Sequence, residues 1–141
     1  MEIKSPKSTI TKASDIASIM QNILDKENAI DQDKEHFWVI GLNTRNNIKY
    51  IELVSLGTLN TTIVHPREVF RMAIFKGISR LILCHNHPSG NADPSEEDLK
   101  LTKRLTYAGE IIGIEVIDHI ILGDSFLSLQ EKGYFSNLSL A

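Results

Sequence analysis

Two histidines, a serine and an aspartate lie close together at spacings that suit metal chemistry. His85 and His87 are separated by one residue. Ser95 follows eight residues after His87, and Asp98 lies three residues beyond Ser95. Two imidazoles and one carboxylate leave the fourth position of a tetrahedral zinc ion open for water, which is the usual arrangement of a catalytic zinc site. The spacing therefore predicts a metal site formed by His85, His87 and Asp98.

The two histidines follow an apolar run that predicts a buried strand. Residues 81–84 read Leu-Ile-Leu-Cys, and an uninterrupted run of this kind is typical of a strand that is covered on both faces. Because side chains alternate along an extended chain, His85 and His87 would point to the same side. On a helix the same two residues would diverge by about 200°. Pro88 and Gly90 then favour a turn.

Ser95 and Asp98 are expected at the start of the next helix. The apolar stripe of that helix has spacings of four, three and four residues, and it consists of Leu101, Leu105, Ala108 and Ile112. Asp98 and Ser95 lie three and six residues before Leu101, so both precede the face that packs on the sheet. A carboxylate that faces inward is costly unless it is paired or bound to a metal. This position favours Asp98 as a ligand.

The segment from Ser95 to Asp98 also fits a helix-capping box, which needs no catalysis. Taken alone, Ser-x-x-Asp after a proline favours the cap, and an isolated His-x-His pair indicates little. The two patterns together, with the inward apolar stripe behind them, favour a metal site. Ser95 suits both roles, because its backbone can cap the helix while its hydroxyl faces the cleft.

The complete pattern of His-x-His, seven residues, Ser, two residues and Asp resembles the JAMM, or MPN-plus, metallopeptidase motif. The strings HPREVF at 65–70, HNHPSG at 85–90 and DHIIL at 118–122 resemble the RadC family within that group. The resemblance begins near Glu35 and covers most of the chain. It implies a JAB/MPN fold, which is akin to the cytidine deaminase fold. It also implies one zinc ion per chain, held by the three ligands named above.

The resemblance further implies a general base and an oxyanion donor. JAMM enzymes take a glutamate from an early strand to accept the proton of the zinc-activated water, and Glu35 stands at the matching position before the apolar strand at 37–42. Ser95 would donate a hydrogen bond to the developing oxyanion. The simpler interpretation of Glu35 is a solvated charge at a strand end. Glu52 and Glu68 are weaker candidates for the base, and each is expected to be exposed or structural.

Other residues in the matching strings have ordinary structural interpretations. His65 would cap the helix that Pro66 opens. Asp118 and His119 would form a satisfied hydrogen-bonding pair beside the core. Cys84 would be a buried residue whose side chain points away from the metal ligands.

Length and composition predict one compact soluble domain. The 141 residues are 42% hydrophobic and 23% charged, which is enough apolar material for a core. No run approaches the ~18 apolar residues of a membrane span, and the N-terminus lacks the apolar core of a signal peptide. A single cysteine excludes an internal disulfide and fits a reducing cytoplasm. We expect a cytoplasmic protein without membrane contact, and the oligomeric state stays open.

The charge distribution predicts weak or no DNA binding. The formal net charge is −3 and the lysines and arginines are scattered, so no basic stripe is available for phosphates. Many RadC-like proteins carry a helix-hairpin-helix region before the metal domain. Here residues 1–34 are expected to form only a helix and lead-in, and residues 35–141 the metal domain. We expect the partner to be a protein or peptide substrate.

Hydrophobic periodicity and turn residues predict the order of the elements. The expected helices are 14–28, with Ser14 as N-cap, then 66–76 and 95–111. The expected strands are 37–42, 48–56, 61–64, 80–85 and 115–122, with a short edge element at 126–129. This order predicts an α/β sandwich in which helices cover a mixed sheet.

Two functions fit these residues. The first is a zinc-dependent hydrolase that cleaves an amide or isopeptide bond with a zinc-activated water. The second is a zinc-retaining binding module without turnover, associated with DNA or with another partner. The combination of Glu35, Ser95 and the three ligands favours the hydrolase, because binding alone needs no base. A cytidine deaminase and an HExxH zincin are excluded, because their Pro-Cys-x-x-Cys and HExxH strings are absent.

Overall fold

The structure, a computed structural model, describes residues 1–3, 9–57 and 63–137. The strands in these residues are β1 (Glu2–Ile3), β2 (Glu35–Leu42), β3 (Ile48–Gly57), β4 (Arg80–Asn86), β5 (Glu115–Leu122) and β6 (Phe126–Ser128). The helices are α1 (Ala13–Asp25), α2 (Ala29–Gln32), α3 (Pro66–Lys76) and α4 (Glu96–Ile112), followed by a 3-10 turn at Tyr134–Asn137.

The described strands form one six-stranded sheet in the order β1-β3-β2-β4-β5-β6. β2 pairs antiparallel with both β3 and β4, so it lies in the middle of the sheet. β4 and β5 pair in parallel, and α4 connects them along the chain. The mixed sheet expected from the sequence is confirmed.

Alternation along the central strands divides the core between the two faces of the sheet. Trp38 and Ile40 pack with α1 on one face, whereas Phe37 and Val39 pack with α3 and α4 on the other. Both sets are fully buried, because each face of β2 is covered by helices. The protein is therefore the α/β sandwich that the sequence predicts.

Several element boundaries differ from the expected ones for local reasons. α1 begins at Ala13 and its N-cap is Lys12, so the assignment of Ser14 as N-cap is wrong. The carboxylate of Asp15 accepts hydrogen bonds from the backbone N–H groups of Thr11 and Lys12 at 2.9 and 3.2 Å, which fixes the helix start one residue earlier than expected. The helix also ends before residue 28, because Asn28 caps the short α2 instead.

Two further differences concern short elements. The hydrophobic pattern of the sequence does not indicate β1, which pairs with β3 through Glu2 opposite Glu52. The strand expected at 61–64 lies partly outside the described residues, and Ile63 and Val64 are not in a strand. No helix in the described part of the chain is long and apolar enough to cross a membrane.

Candidate metal centre

The metal-ligand candidates meet where β4 ends and α4 begins. Leu81 and Leu83 pack toward α3 and α4, and the alternation of the strand places His85 on that same face. His87 follows in the turn, and Asp98 stands in the first turn of α4. His85 is fully buried, and the side chains of His87 and Asp98 are 17% and 7% exposed. The site is thus buried on the sheet side and open only at His87.

The distances fit a single metal ion. His85 Nε2 lies 2.9 Å from His87 Nε2 and 3.3 Å from Asp98 Oδ1, and His87 Nε2 lies 3.0 Å from Asp98 Oδ2. Tetrahedral zinc with bonds of about 2.0–2.1 Å holds its ligand atoms roughly 3.3 Å apart. Among the described residues, these three form the group that could hold a metal ion, with all ligand atoms within 4.8 Å of one another.

Electrostatics keep Asp98 in the anionic form that a metal requires. Burial raises the pKa of its carboxyl group, but hydrogen bonds from His85 and His87 outweigh this effect and hold the pKa well below its usual range. In return, the hydrogen bond to Asp98 raises the pKa of His87 above its ordinary value, against the effect of burial. A metal ion that replaced the imidazole hydrogens facing Asp98 would be attracted by the same carboxylate charge.

The capping box and the ligand set share Asp98. Ser95 is the N-cap of α4, and its Oγ accepts a hydrogen bond from the N–H of Asp98 at 3.1 Å. Asp98 Oδ2 accepts one from the N–H of Ser95 at 2.9 Å while also facing His87. The two interpretations of this segment are therefore compatible. Ser95 is exposed at the rim of the site.

The loop after β4 orients His87. Its Nδ1 lies 2.7 Å from the carbonyl oxygen of Asn91, which can only accept, so Nδ1 carries the hydrogen. The N–H of Gly90 donates to the carbonyl of His87 at 3.0 Å and closes the turn, and Gly90 adopts a φ of 93° that favours glycine. The remaining nitrogen, Nε2, is thus directed at His85 and Asp98.

A second set of side chains lies behind His85. Its Nδ1 is 2.7 Å from His119 Nε2, and His119 Nδ1 is 2.6 Å from Thr102 Oγ1. Burial lowers the pKa of His119 well below its ordinary value, so the ring is neutral. The expected hydrogen bond between Asp118 and His119 is present, but it joins the carboxylate of Asp118 to the backbone N–H of His119, and the same carboxylate also accepts from Ser128 and Gln130. The contact of the His119 ring with Thr102 has no signal in the local sequence pattern.

Glu35 lines a cleft next to His87. It is the first residue of β2 and is half-buried. An open cleft of about 540 Å³ is lined by Glu35 and the two residues before it, by Gly57 at the end of β3, and by His87, Pro88 and Ser89. The charge of Glu35 contributes to the raised pKa of His87. The structure thus brings the expected base to the cleft that contains one of the ligands.

Asn86, between the two histidines, ties β4 to the start of β2. Its Oδ1 accepts a hydrogen bond from the N–H of His36 at 2.6 Å, and its Nδ2 donates to the carbonyl of Lys34 at 3.0 Å. These two backbone groups flank Glu35. The buried amide of Asn86 therefore fixes the backbone on both sides of the expected base.

Other residues singled out from the sequence lie away from the ligands. Glu52 is buried, and its Oε2 lies 3.4 Å from Arg71 Nη2, which is a structural ion pair. Glu68 is half-buried on α3, with its side chain 47% exposed, and faces the same arginine at 3.7 Å. His65 is the N-cap of α3, as expected, but it caps through its backbone carbonyl and its side chain makes no capping hydrogen bond. Cys84 packs on the α1 side of the sheet, as expected.

A mixed α/β sandwich with His, His and Asp at a strand end and a helix start is the arrangement of a JAB-type domain. Residues 10–134 match the family described as RadC-like JAB domain. The chain therefore belongs to the RadC-like JAB domain family.

Similar proteins carry UPF0758 names. A UPF0758 protein of Caldanaerobacter subterraneus subsp. tengcongensis is 58% identical over 103 residues, which cover 72% of this chain and 44% of that protein. UPF0758 proteins of Desulforamulus reducens and Desulforudis audaxviator are each 56% identical, covering 76% and 73% of this chain and 48% and 45% of their own lengths. The chain thus spans less than half the length of these relatives.

Proposed function

We propose that the protein is a zinc-dependent hydrolase of the JAMM type that cleaves an amide or isopeptide bond in a protein or peptide. The observation that carries this proposal is the convergence of His85, His87 and Asp98, with Glu35 lining the cleft beside His87. Structural zinc sites are closed by four protein ligands, whereas three ligands leave a position for water. A base at the same cleft fits hydrolysis.

The residues around the site have separate tasks in this proposal. A bound zinc ion would supply a Lewis acid and a water whose pKa lies near ~7. Glu35 would take a proton from the attacking water and return it to the leaving amine. Ser95 would donate its hydroxyl hydrogen to the carbonyl oxygen of the substrate. That hydrogen is available, because Ser95 Oγ acts as an acceptor in the helix cap.

The charge of the surrounding loops favours the hydrolase over a DNA-associated module. Residues 31–35 contain three acidic side chains and one lysine, and residues 91–98 contain four acidic side chains and no basic one. Negative charge near the cleft repels phosphate groups, which supply most of the affinity of DNA-binding proteins.

The metal assignment is tested by zinc content. We expect about one zinc ion per purified chain, and loss of most of it in His87→Ala, because a ligand is removed. Elemental analysis of both proteins measures this directly. Equal metal content in the two proteins would refute the proposed ligand set.

The hydrolytic assignment is tested with a substrate obtained by screening peptides and isopeptide-linked proteins. Glu35→Gln should retain zinc and fold but lose most of its activity, because an amide does not accept the proton. Glu68→Gln is the matched control, since Glu68 lies on α3 away from the ligands and pairs with Arg71. An active Glu35→Gln protein would contradict the base assignment. A zinc-loaded protein that cleaves nothing in the screen would favour the binding module.

A further inference from the structure

A chain of buried hydrogen bonds runs from the back of the metal site to the backbone of α4. His85 Nδ1 lies 2.7 Å from His119 Nε2, and His119 Nδ1 lies 2.6 Å from Thr102 Oγ1. Thr102 Oγ1 in turn lies 2.7 Å from the carbonyl oxygen of Asp98. All three side chains have no solvent exposure. Each hydrogen in this chain must therefore be satisfied by the next group and not by water.

The carbonyl at the end of the chain fixes its direction. A carbonyl oxygen only accepts, so Thr102 donates its single hydroxyl hydrogen to Asp98. Thr102 Oγ1 must then accept from His119, which places the ring hydrogen of His119 on Nδ1. Nε2 of this neutral ring keeps its lone pair and accepts from Nδ1 of His85. His85 is left with Nε2 directed at His87 and Asp98.

We propose that His119 and Thr102 are positioning residues that hold His85 in the orientation and tautomer that bind a metal through Nε2. This role rests on the proposed zinc site. Ligating histidines ordinarily donate their second ring N–H to a carboxylate, a carbonyl or water. Here a second imidazole takes that place, and the chain ends on the backbone of another ligand, Asp98. One hydrogen-bond chain thereby connects two of the three ligands.

The first test is zinc affinity, measured by competition with a chelating dye. Thr102→Val keeps the shape of the side chain but removes the acceptor for His119 Nδ1–H, so His119 is free to place its hydrogen on Nε2, against His85. We expect affinity to fall by about 10-fold to 100-fold, the usual effect of losing a partner of a ligating histidine. Thr102→Ser retains the hydroxyl and should bind zinc as the wild type does.

Thr106→Val is the matched control. Thr106 lies one turn further along the same buried face of α4, and its hydroxyl has no hydrogen-bond partner among the described residues. The same substitution there should leave zinc affinity unchanged. Circular dichroism of the metal-free proteins establishes that the variants are folded. Equal zinc affinity in Thr102→Val and the wild type would overturn the positioning role.

The second test needs no zinc. Long-range ¹H–¹⁵N spectra of the metal-free wild-type protein should show His119 protonated on Nδ1 and unprotonated on Nε2. Thr102→Ser should retain this tautomer, and Thr102→Val should lose it. A wild-type His119 protonated on Nε2 would overturn the proposed direction of the chain. If the expected tautomer is present but the wild type binds no zinc, the proposed zinc site fails and the hydrogen-bond chain has another purpose.

Discussion

Asp98 illustrates how one side chain serves both the helix and the metal site. Oδ2 accepts the hydrogen bond from the N–H of Ser95 and faces His87, while Oδ1 faces His85. The carboxylate therefore contributes two acceptors to groups on three different segments. A substitution at Ser95 alters the helix cap and the rim of the cleft but removes no metal ligand. It therefore separates the capping of α4 from the binding of the metal.

At the residue scale, Ser95→Ala should keep zinc but slow hydrolysis. Loss of one oxyanion donor costs up to ~10²–10³ in kcat, and loss of the cap costs about 1 kcal/mol of stability. Ser95→Thr retains a hydroxyl at the same position and serves as the control. Zinc content, kcat on the screened substrate and thermal unfolding measure the three effects. Wild-type kcat in Ser95→Ala would limit this residue to capping.

At the scale of elements, the relative position of β2 and β4 decides where Glu35 stands. The two strands pair antiparallel with Phe37 opposite His85, which brings the start of β2 beside the ligands. The side-chain amide of Asn86 adds two hydrogen bonds between these strands, one to the backbone on each side of Glu35. The proposed base is thus located by the strand that carries His85 and leads into His87.

Asn86→Ala should loosen the start of β2. The N–H of His36 would be left buried without its partner, at a cost of about 1–3 kcal/mol, whereas the carbonyl of Lys34 retains a contact with His36 Nδ1 at 2.8 Å. We expect lower thermal stability, faster amide exchange at His36 and zinc binding close to that of the wild type. Amide exchange measured by NMR gives the local effect. Unchanged exchange at His36 would show that Asn86 does not hold this segment.

At the scale of the whole molecule, the site lies on a core that is formed without it. One cluster of buried side chains joins α1 to the sheet, and the other joins α3 and α4 to the opposite face. The ligands lie at one end of the sheet, so a metal would add to a structure already held together by apolar packing.

Removal of zinc should therefore lower stability without unfolding the protein. The reactivity of Cys84 shows whether the protein stays folded, because this residue is fully buried among the side chains that pack with α1. Burial also raises the pKa of its thiol above the ordinary range. Alkylation by iodoacetamide should be slow both before and after treatment with EDTA, and rapid in denaturant. Rapid alkylation upon addition of EDTA alone would show that folding depends on the metal.

Features that depend on local spacing were predictable from the sequence. An apolar strand followed by His-x-His and a helix start with Ser-x-x-Asp predicted that His85, His87 and Asp98 would meet, and the structure places their ligand atoms within 4.8 Å. Helix α3 has the bounds that its proline and glycine predict, Pro66–Lys76. Strands and helices are recognised by the spacing of their apolar residues and by the residues that end them. Both signals lie within a few positions of the sequence.

Contacts between distant polar residues were decided only by the tertiary structure. His119 meets His85 because β4 and β5 pair in parallel, and it meets Thr102 because α4 crosses the same face. His36 is buried against Glu27, with Nε2 and Oε2 2.6 Å apart, although nothing in the local pattern indicates a partner. Hydrophobic periodicity assigns a polar residue to a face but does not say what lies opposite. Sheet register and helix packing supply that information, and they depend on the whole chain.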